Sequence, residues 1–554
     1  MNTQSGASIF LSLLKDEGIT HIFGNPGTTE LPIMNALKDH GDLNYILGLQ
    51  ESLVVAMADG FSRASGQLSA CNVHVAPGLG NAIGSIYNAR FTGTPIIITA
   101  GQQEQGHGLT EPLLYDPLLP IAQPVVKWGT EITRIQDLPR IIRRAAKVAM
   151  APPTGPVFLS LPGDVLNEIT GLDIGNSTRV ESRVVPSNSV LEGLVDRILL
   201  AKNPVIICGD EIVRSDALEQ AANFAEKLGA EVFQQTVPYG SHYLSEHVCY
   251  MGTLSRDQED VQATLRPYDL IIVLGADVLR MSVWSEIDPL PKNMPIIQIG
   301  LNDWEMGKNY PAERAIYGHL FDTLKALSLL LEEKGGIPLV ARTKSALLRM
   351  KPLNWSAKRK KLALEIESVK TQKIISPDLF TLRLVNALPE NAVVVHEGLT
   401  STRYLPNLLA YKDRFSFHGF ASGGIGWALP AAVGVQLAQI NRPVCAIVGD
   451  GSSMYSIQSL WTAAHLKLPI TYVIANNRSY KIIKQRLKAF HNNSHFVGMD
   501  FKNPPISFVG MAQAMGMDAQ YVSDINDFSD ALSRAMINGK PNLIEVEIDS
   551  SVMV

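Results

Sequence analysis

The sequence predicts an α/β protein built from parallel sheets. Its 554 residues exceed one ordinary domain, and about 150 residues per domain suggests three to four of them. Apolar runs typical of strands alternate with segments long enough for helices, as in βαβ units. The runs are continuously apolar, which is expected where helices cover both faces of a sheet. Examples of such runs are residues 95–100, 204–208, 270–274 and 444–448.

The composition excludes several classes of protein. The chain is 46% hydrophobic and 18% charged, so it is neither collagen-like, coiled-coil nor disordered. A net charge of −5 is too balanced for an electrostatic nucleic-acid binder. No apolar run reaches about 18 residues, so we expect no membrane span. Residues 8–16 are interpreted as an amphipathic helix rather than a signal peptide. The four cysteines form no CxxC pair, which favours a cytoplasmic location and excludes a zinc knuckle.

Two polar stretches, 175–189 and 342–373, divide the chain into three predicted domains. These span residues 1–180, 190–340 and 370–554. The second stretch contains the basic run 358–361, which we interpret as a surface helix or linker. A nucleic-acid patch would need interleaved aromatic residues, and this run has none.

The strongest motif lies near the C-terminus. The segment 449–452 (Gly-Asp-Gly-Ser) follows a strand and precedes a predicted helix over 457–466. A second predicted strand over 470–475 leads into Asn476 and Asn477. Asp450 and Asn477 are therefore expected at the carboxyl ends of two strands joined by one crossover, where open parallel sheets bind ligands.

The residue types at these strand ends indicate a site for a metal ion and a phosphate. Carboxylate and amide oxygens, a backbone carbonyl, phosphate oxygens and water together suit octahedral Mg²⁺. Gly449 and Gly451 allow the backbone to approach a phosphate closely, and N–H groups of the following helix can face it. A Gly-Asp-Gly turn is unspecific by itself. The following Asn-Asn and the intervening strand–helix–strand pattern make the combination much more specific.

This spacing resembles the motif of thiamine diphosphate enzymes that decarboxylate 2-oxo acids, a family that includes acetolactate synthases. The resemblance covers essentially the whole chain and is strongest to the benzoylformate decarboxylase branch. It implies three doubly wound parallel-sheet domains: pyrimidine-binding, central and diphosphate-binding. The central domain would be Rossmann-like, and we expect no nucleotide there because its sequence lacks a clean dinucleotide fingerprint. The segment 78–84 is GxGxxxG rather than GxGxxG, so we interpret it as a loop lining the thiamine site.

The resemblance assigns the diphosphate half of the site. Asp450 and Asn477 would be side-chain Mg²⁺ ligands, and Ser479 would contribute its backbone carbonyl. Arg478 stands where family members often have glycine. The Gly423 carbonyl would hold the aminopyrimidine, and Ile425 would wedge between the two rings of thiamine diphosphate; a core aliphatic residue would look the same in sequence. The other cofactor-binding residues are Thr400, Gly451, Ser452 and Tyr480, with Glu397 in the same strand-end loop as Thr400.

The N-terminal domain would supply the catalytic residues. By resemblance, Glu51 binds the pyrimidine ring and activates the cofactor, Thr28 orients the substrate carboxylate and His74 relays protons. Two alternatives exist in the sequence alone. Glu51 could be a solvated glutamate at a helix start, and His74 could be a loop histidine with structural partners only.

The predicted substrate pocket departs from the benzoylformate branch. Its residues are Pro26, Leu113, Leu114, Ser282 and Ile482. Ser282 stands where a second histidine is expected, Ile482 is larger than expected, and Arg486 replaces an aromatic residue. These changes favour a smaller or more acidic 2-oxo acid. Lys481, Lys484 and Arg486 are otherwise interpreted as a helix face in water.

The implied reaction is non-oxidative decarboxylation of a 2-oxo acid to an aldehyde through an enamine intermediate. The alternatives are a carboligase of the acetolactate synthase type, which makes a 2-hydroxyketone, and a cofactor-binding relative without turnover. The family's site is shared between two subunits. The expected assembly is therefore a homodimer at minimum, and a homotetramer is favoured.

Overall fold

The computed structural model describes residues 3–281, 283–369 and 374–552. It confirms the predicted fold class, with three parallel α/β sheets along the chain. These residues form two compact units. The first comprises residues 1–180, 372–402 and 420–554, and the second comprises residues 181–371 and 403–419. The helices of the described segments include none that is long and apolar enough to cross a membrane.

The N-terminal sheet has the strand order β3-β2-β4-β5-β7-β6, and all its pairings are parallel. The two remaining strands, β1 and β8, form a separate antiparallel pair. The strands are β1 (Gln4–Ser5), β2 (His21–Gly24), β3 (Asn44–Leu47), β4 (Ser69–Val73), β5 (Ile96–Gln102), β6 (Trp128–Glu131), β7 (Val157–Pro162) and β8 (Ile169–Thr170). The helices are α1 (Gly6–Asp16), α2 (Leu31–Ala36), α3 (Glu51–Ser65), α4 (Val75–Thr92), α5 (Gln105–Gly108), α6 (Leu118–Ala122), α7 (Leu138–Met150) and α8 (Gly163–Asn167).

The central sheet, in the second unit, is also parallel, with the order β11-β10-β9-β12-β13-β14. Its strands are β9 (Pro204–Cys208), β10 (Glu231–Gln234), β11 (Tyr250–Thr253), β12 (Leu270–Leu274), β13 (Ile296–Gly300) and β14 (Arg314–Tyr317). Its helices are α9 (Asn188–Leu199), α10 (Glu211–Arg214), α11 (Leu218–Leu228), α12 (Gln258–Leu265), α13 (Leu320–Met350) and α14 (Trp355–Ser368). Helix α14 carries the basic run, and two of its four cations bind backbone carbonyls: Lys358 that of Met251 and Arg359 that of Leu408.

The C-terminal segment adds the third sheet. Its strands are β15 (Val393–Glu397), β16 (Phe417–Gly419), β17 (Val444–Gly449), β18 (Ile470–Asn476), β19 (Asp518–Val522) and β20 (Asn542–Glu547). Its helices are α15 (Pro377–Ala387), α16 (Leu405–Leu408), α17 (Ala428–Ala438), α18 (Asp450–Ser453), α19 (Ser459–His465), α20 (Lys481–His491), α21 (Phe508–Ala514) and α22 (Ile525–Ile537). Helix α16 and strand β16 belong to the second unit. Within the first unit the strand order is β15-β17-β18-β20-β19.

Helices α3 and α17 join the N-terminal and C-terminal sheets of the first unit. They approach so closely that a Cβ on Gly60 would overlap the Ala431 carbonyl, and one on Gly434 would overlap that of Met57. The buried Asp59 carboxylate ties the two helices by accepting the Trp427 indole N–H at 2.6 Å. The glycines therefore permit the close packing, and the hydrogen bond fixes where the helices meet.

Candidate active site

The residues predicted for the diphosphate half converge at the carboxyl ends of β17 and β18. These strands pair in parallel, with Gly449 opposite Ala475, so the residues that follow them lie side by side. Asp450 Oδ2 and Asn477 Oδ1 both accept the Ser479 N–H, at 3.2 and 3.1 Å. The two side-chain oxygens are therefore close neighbours, as ligands of one divalent cation would be.

Second contacts hold these two side chains in place. Asn477 donates its amide N–H to the Ser401 hydroxyl at 3.3 Å, which turns its oxygen toward Ser479. The other oxygen of Asp450 accepts the Gly451 N–H at 2.9 Å. Burial raises the pKa of Asp450 to about 6. A buried carboxylate beside an amide oxygen is a donor set that suits a bound divalent cation.

The backbone conformation at Arg478 suits glycine better than any residue with a side chain. Its φ is +55°, in the left-handed region that side chains with a Cβ rarely adopt. The strained conformation turns the chain between Asn477 and Ser479, and the Arg478 guanidinium pairs with Glu547 at 3.0 Å. The departure from glycine therefore changes a side chain and leaves the turn in place.

The remaining cofactor residues lie around this point. Gly451 is buried beneath the Tyr480 ring, which a Cβ at this position would strike. Thr400 lies in a short 3-10 helix after β15. Gly423 is exposed and Ile425 is half-buried in the loop that leads to α17. Ser452 is buried and its hydroxyl hydrogen-bonds Glu397.

Glu397 links the loop before α17 to the diphosphate side of the site. Its carboxylate accepts the N–H groups of Gly426 and Ala428, at 2.7 and 2.8 Å, as well as the Ser452 contact. Burial raises the pKa of Glu397 to about 7, against the opposing effect of these N–H donors. The sequence predicted only a loop position for Glu397. In the structure its carboxylate caps the N-terminal end of helix α17.

The N-terminal residues form a second group, after the carboxyl ends of β2, β3 and β4. Glu51 begins helix α3 and is 7% exposed, which rules out a solvated glutamate in this chain. Its two oxygens accept amide N–H groups from Asn25 at 3.1 Å and Asn81 at 3.0 Å. Gly78 lies against this carboxylate. No hydrogen bond joins Glu51 to Asp450 in the described part of the chain.

His74 follows strand β4 directly and faces a carboxylate that the sequence did not suggest. Its Nδ1 lies 2.8 Å from Glu30 Oε2 and 3.2 Å from the Thr29 hydroxyl. Thr28 is exposed on the same short 3-10 helix as Thr29. Glu30, Thr29, Asn25 and Asn81 are the functional candidates that the sequence analysis missed. Glu30 had one signal, its position three residues after Gly27, from which its carboxylate can reach back to accept the Gly27 N–H at 2.9 Å.

The predicted pocket residues differ in their exposure in this chain. Pro26 is exposed, Leu114 and Ile482 are half-buried, and Leu113 is 86% exposed. Ser282 lies outside the described residues. An open cleft of about 440 Å³ adjoins Thr28, and its polar lining includes amide side chains. The lining residues are Thr28, Thr29, Leu31, Pro32, Asn35, Gln102, Gln103, Glu104, Gly163 and Asn167.

Two expectations about this region are wrong. The segment 78–84 is part of helix α4 rather than a loop, because the helix begins directly after His74. Lys481 and Lys484 do not lie on a helix face in water, since they are 6% and 4% exposed, whereas Arg486 is exposed as predicted. Lys481 donates to the Asp549 carbonyl and Lys484 pairs with Asp500, at 2.7 and 2.6 Å. Both partners lie outside helix α20, so the residue pattern within the helix does not reveal them.

Three family models match the chain in sequence order. The N-terminal thiamine pyrophosphate binding domain matches residues 4–113, the central domain residues 191–327 and the C-terminal thiamine pyrophosphate binding domain residues 400–546. The chain belongs to the thiamine pyrophosphate enzymes. The third model spans Asp450, Asn477 and Ser479, and the first spans Thr28, Glu51 and His74.

Relatives of known name cover the whole chain. Benzoylformate decarboxylase of Pseudomonas aeruginosa is 31% identical over 550 residues, which is 99% of each chain. The acetolactate synthase large subunit of Haemophilus influenzae is 25% identical over 562 residues, covering 100% of this chain and 96% of its own. Among solved structures, the 4-hydroxybenzoylformate decarboxylase of Rhodococcus jostii superposes with a TM-score of 0.89 at 29% identity, covering 99% of this chain and all of its own. This thiamine pyrophosphate enzyme is therefore similar both to benzoylformate decarboxylases and to an acetolactate synthase.

Proposed function

We propose that the chain is a thiamine diphosphate- and Mg²⁺-dependent enzyme that decarboxylates a 2-oxo acid without oxidation and releases an aldehyde. The observation that carries this proposal is the convergence of Asp450 and Asn477 oxygens on the Ser479 N–H, within a chain of this family. Full-length identity of 31% to a protein named benzoylformate decarboxylase supports the decarboxylase branch.

The C-terminal residues hold the cofactor in this proposal. Asp450, Asn477 and the Ser479 carbonyl would hold Mg²⁺, whose charge would balance that of the diphosphate. Gly451 and Ser452 bind the diphosphate, with Thr400 and Tyr480 alongside. Gly423 and Ile425 hold the rings, and Glu397 keeps their loop attached to helix α17. When bound, thiamine diphosphate supplies an electron sink for the pair released as CO₂ leaves.

The N-terminal residues move protons and orient the substrate. Glu51 holds a proton at the pyrimidine ring, and Asn25 and Asn81 fix the direction of its carboxylate. Thr28 donates its hydroxyl to the substrate carboxylate. His74 delivers a proton to the reacting carbon atom after decarboxylation.

The site is completed by a second copy of the chain, so the working unit is a homodimer, with a homotetramer favoured. The two groups of residues belong to different sheets, and no described hydrogen bond connects Glu51 with Asp450. A cyclic dimer would place the N-terminal group of one copy against the C-terminal group of the other and create two equal sites.

The substrate is a 2-oxo acid smaller or more acidic than benzoylformate. Ile482 narrows the pocket, and Arg486 adds a positive charge one helical turn further along α20. Pro26, Leu113, Leu114 and Ser282 complete the proposed pocket. We expect the central domain to bind no nucleotide, because its sequence lacks a clean dinucleotide fingerprint.

A carboligase that makes a 2-hydroxyketone is the second candidate. One observation favours it: an acetolactate synthase aligns with the whole chain. The resemblance also implies that Ser282 occupies the position of a proton-transferring histidine. Serine does not exchange protons near neutral pH as histidine does, so protonation would slow relative to carbon–carbon bond formation.

One assay separates the candidates. Purified protein with thiamine diphosphate and Mg²⁺ is given a panel of aliphatic, aromatic and dicarboxylic 2-oxo acids, and both CO₂ and organic products are measured. Aldehyde as the main product supports the decarboxylase, and acetolactate from pyruvate supports the carboligase. Cofactor binding without CO₂ from any acid would refute both and support a binding-only relative. The matched control is Glu51→Gln, which should retain cofactor but lose turnover.

A further inference from the structure

Glu30 is a fully buried carboxylate with no part in the reaction described so far. It is 0% exposed and lies between the loop after β2 and the end of β5. Its Oε1 accepts the Gly101 N–H and the Thr29 hydroxyl, both at 2.8 Å. Its Oε2 accepts the Gly27 N–H at 2.9 Å. Three fixed donors on two oxygens are surroundings that suit an ionised carboxylate.

The fourth neighbour of this carboxylate is His74 Nδ1, 2.8 Å from Oε2. A carboxylate can only accept hydrogen bonds, so Nδ1 must carry the proton. The second contact of Nδ1 leads to the same conclusion. Because Thr29 gives its one hydroxyl proton to Glu30, its oxygen can only accept from His74 at 3.2 Å. Two contacts thus require the same tautomer.

The other ring nitrogen of His74 is free to react. Nε2 has no hydrogen-bond partner among the described residues, and the His74 side chain is 22% exposed. Gly27 packs against the ring near Nδ1, where a Cβ would overlap that nitrogen. The imidazole is therefore held at one edge by Glu30 and Thr29, and its Nε2 edge remains accessible.

We propose that Glu30 is the positioning residue for His74: it fixes the Nδ1–H tautomer, so that His74 gives and takes protons through Nε2. Glu30 does not itself touch the substrate. The arrangement follows the general logic in which a buried carboxylate orients a catalytic imidazole. This inference rests on the proposed role of His74, but the tautomer is a property of the protein without cofactor or substrate.

The first test measures the tautomer directly. Cofactor-free protein is labelled with ¹⁵N-histidine, and the His74 signals are assigned by comparison with His74→Gln. Wild type should show a protonated Nδ1 and a bare Nε2 at high pH. In Glu30→Gln a neutral amide replaces the charged acceptor that stabilises Nδ1–H, so the fraction of His74 with its proton on Nε2 should rise. A bare Nδ1 in the wild type would overturn the proposal even if Glu30→Gln does not fold.

The second test asks whether Glu30 acts through His74. In the aldehyde-forming assay, Glu30→Gln should lower kcat by about tenfold to a hundredfold with KM nearly unchanged, because proton transfer follows substrate binding. In a His74→Ala background the same substitution should lower kcat less than twofold. Equal losses in both backgrounds would show a merely structural role.

The matched control is Glu131→Gln. Glu131 lies in the same domain and its carboxylate accepts the Ser160 hydroxyl at 2.8 Å, without a described contact to His74. This variant should leave the His74 tautomer and kcat unchanged. If the wild type decarboxylates no 2-oxo acid, the proposed function fails, while the tautomer measurement still decides the role of Glu30.

Discussion

At the scale of single residues, the candidate site depends on two side-chain oxygens. Contacts between residues far apart in sequence align them. Asp450 and Asn477 follow neighbouring parallel strands, and each is fixed by a partner outside its own loop or by a backbone N–H. Asp450 brings the negative charge of the pair. Its loss should therefore weaken metal binding more than it weakens the fold.

We expect Asp450→Asn to lower the affinity for thiamine diphosphate in the presence of Mg²⁺ by at least about a hundredfold, because the metal loses a charged ligand. Titration followed by intrinsic fluorescence measures the dissociation constant. Asp527→Asn, an exposed carboxylate on α22, is the control and should bind as wild type does. Unchanged affinity in Asp450→Asn would remove Asp450 from the metal site.

The sequence predicts this half of the site because its residues directly follow strands. The apolar runs in the sequence show where those strands end. Glu30 is different. Its partners Gly101 and His74 lie 71 and 44 residues away, and no local pattern brings them together. The same reason explains Lys481, whose partner is the distant Asp549 carbonyl. A hydrogen bond from a side chain to a backbone group far away in the sequence leaves no trace in the hydrophobic pattern of the sequence.

At the scale of elements, the contact between α3 and α17 connects the two halves of the first unit. Helix α3 begins with Glu51, and the loop before α17 holds Gly423 and Ile425. Two glycines permit the contact, and in each case the obstacle to a side chain is rigid backbone. The contact should therefore tolerate no added carbon atom.

We expect Gly434→Ala to lower the free energy of unfolding by about 1–3 kcal/mol, since the methyl group would overlap the Met57 carbonyl. Differential scanning calorimetry and chemical denaturation measure the loss. Gly80→Ala on helix α4 is the matched control, because nothing lies within 4 Å of its added carbon. It should gain up to about 1 kcal/mol from helix propensity. Equal effects of the two substitutions would contradict the packing argument.

A charged cluster lies at the carboxyl ends of β9 and β12. We expect it to make the stability of the central domain depend on pH. Burial raises the pKa of Asp277 to about 7, although Arg280 lies 2.8 Å away and opposes the rise. The folded state then holds a proton that the unfolded state has already lost. The contribution of Asp277 to stability is present at low pH and declines as pH rises from about 4 to about 7.

Asp277→Asn should abolish this dependence. The difference in Tm between variant and wild type should be more positive at pH 8 than at pH 5, because the wild-type carboxylate is charged only at the higher pH. Asp303→Asn, an exposed carboxylate in the same domain, should show no such trend. A difference that becomes more negative at pH 8 would mean that the Arg280 pair dominates.

At the scale of the whole molecule, the three parallel sheets were predictable because continuous apolar runs mark buried strands. Runs 204–208 and 270–274 coincide with β9 and β12. Tertiary packing decides the boundaries of short elements. The predicted helix over 457–466 is only Ser459–His465, and a separate short helix begins at Asp450.

A site shared between subunits can be tested by complementation. Glu51→Gln and Asp450→Ala should each be nearly inactive alone. When both are produced together, a mixed dimer contains one site with both wild-type residues, so random pairing should restore about a quarter of wild-type activity. A site contained within one chain would stay inactive in every mixture. Two copies of Glu51→Gln with different purification tags serve as the control for pairing.

The most direct test is the rate at which the C2 proton of bound thiamine diphosphate exchanges with deuterium, read by NMR after acid quench. This measurement needs no substrate and depends on both ends of the cofactor. We predict that the wild-type protein with Mg²⁺ accelerates exchange at least about a hundredfold over free cofactor, within the range of general base catalysis. Glu51→Gln should abolish the acceleration without loss of binding. If wild-type protein saturated with thiamine diphosphate exchanged the C2 proton only as fast as the free cofactor does, the proposed role of Glu51 would be contradicted.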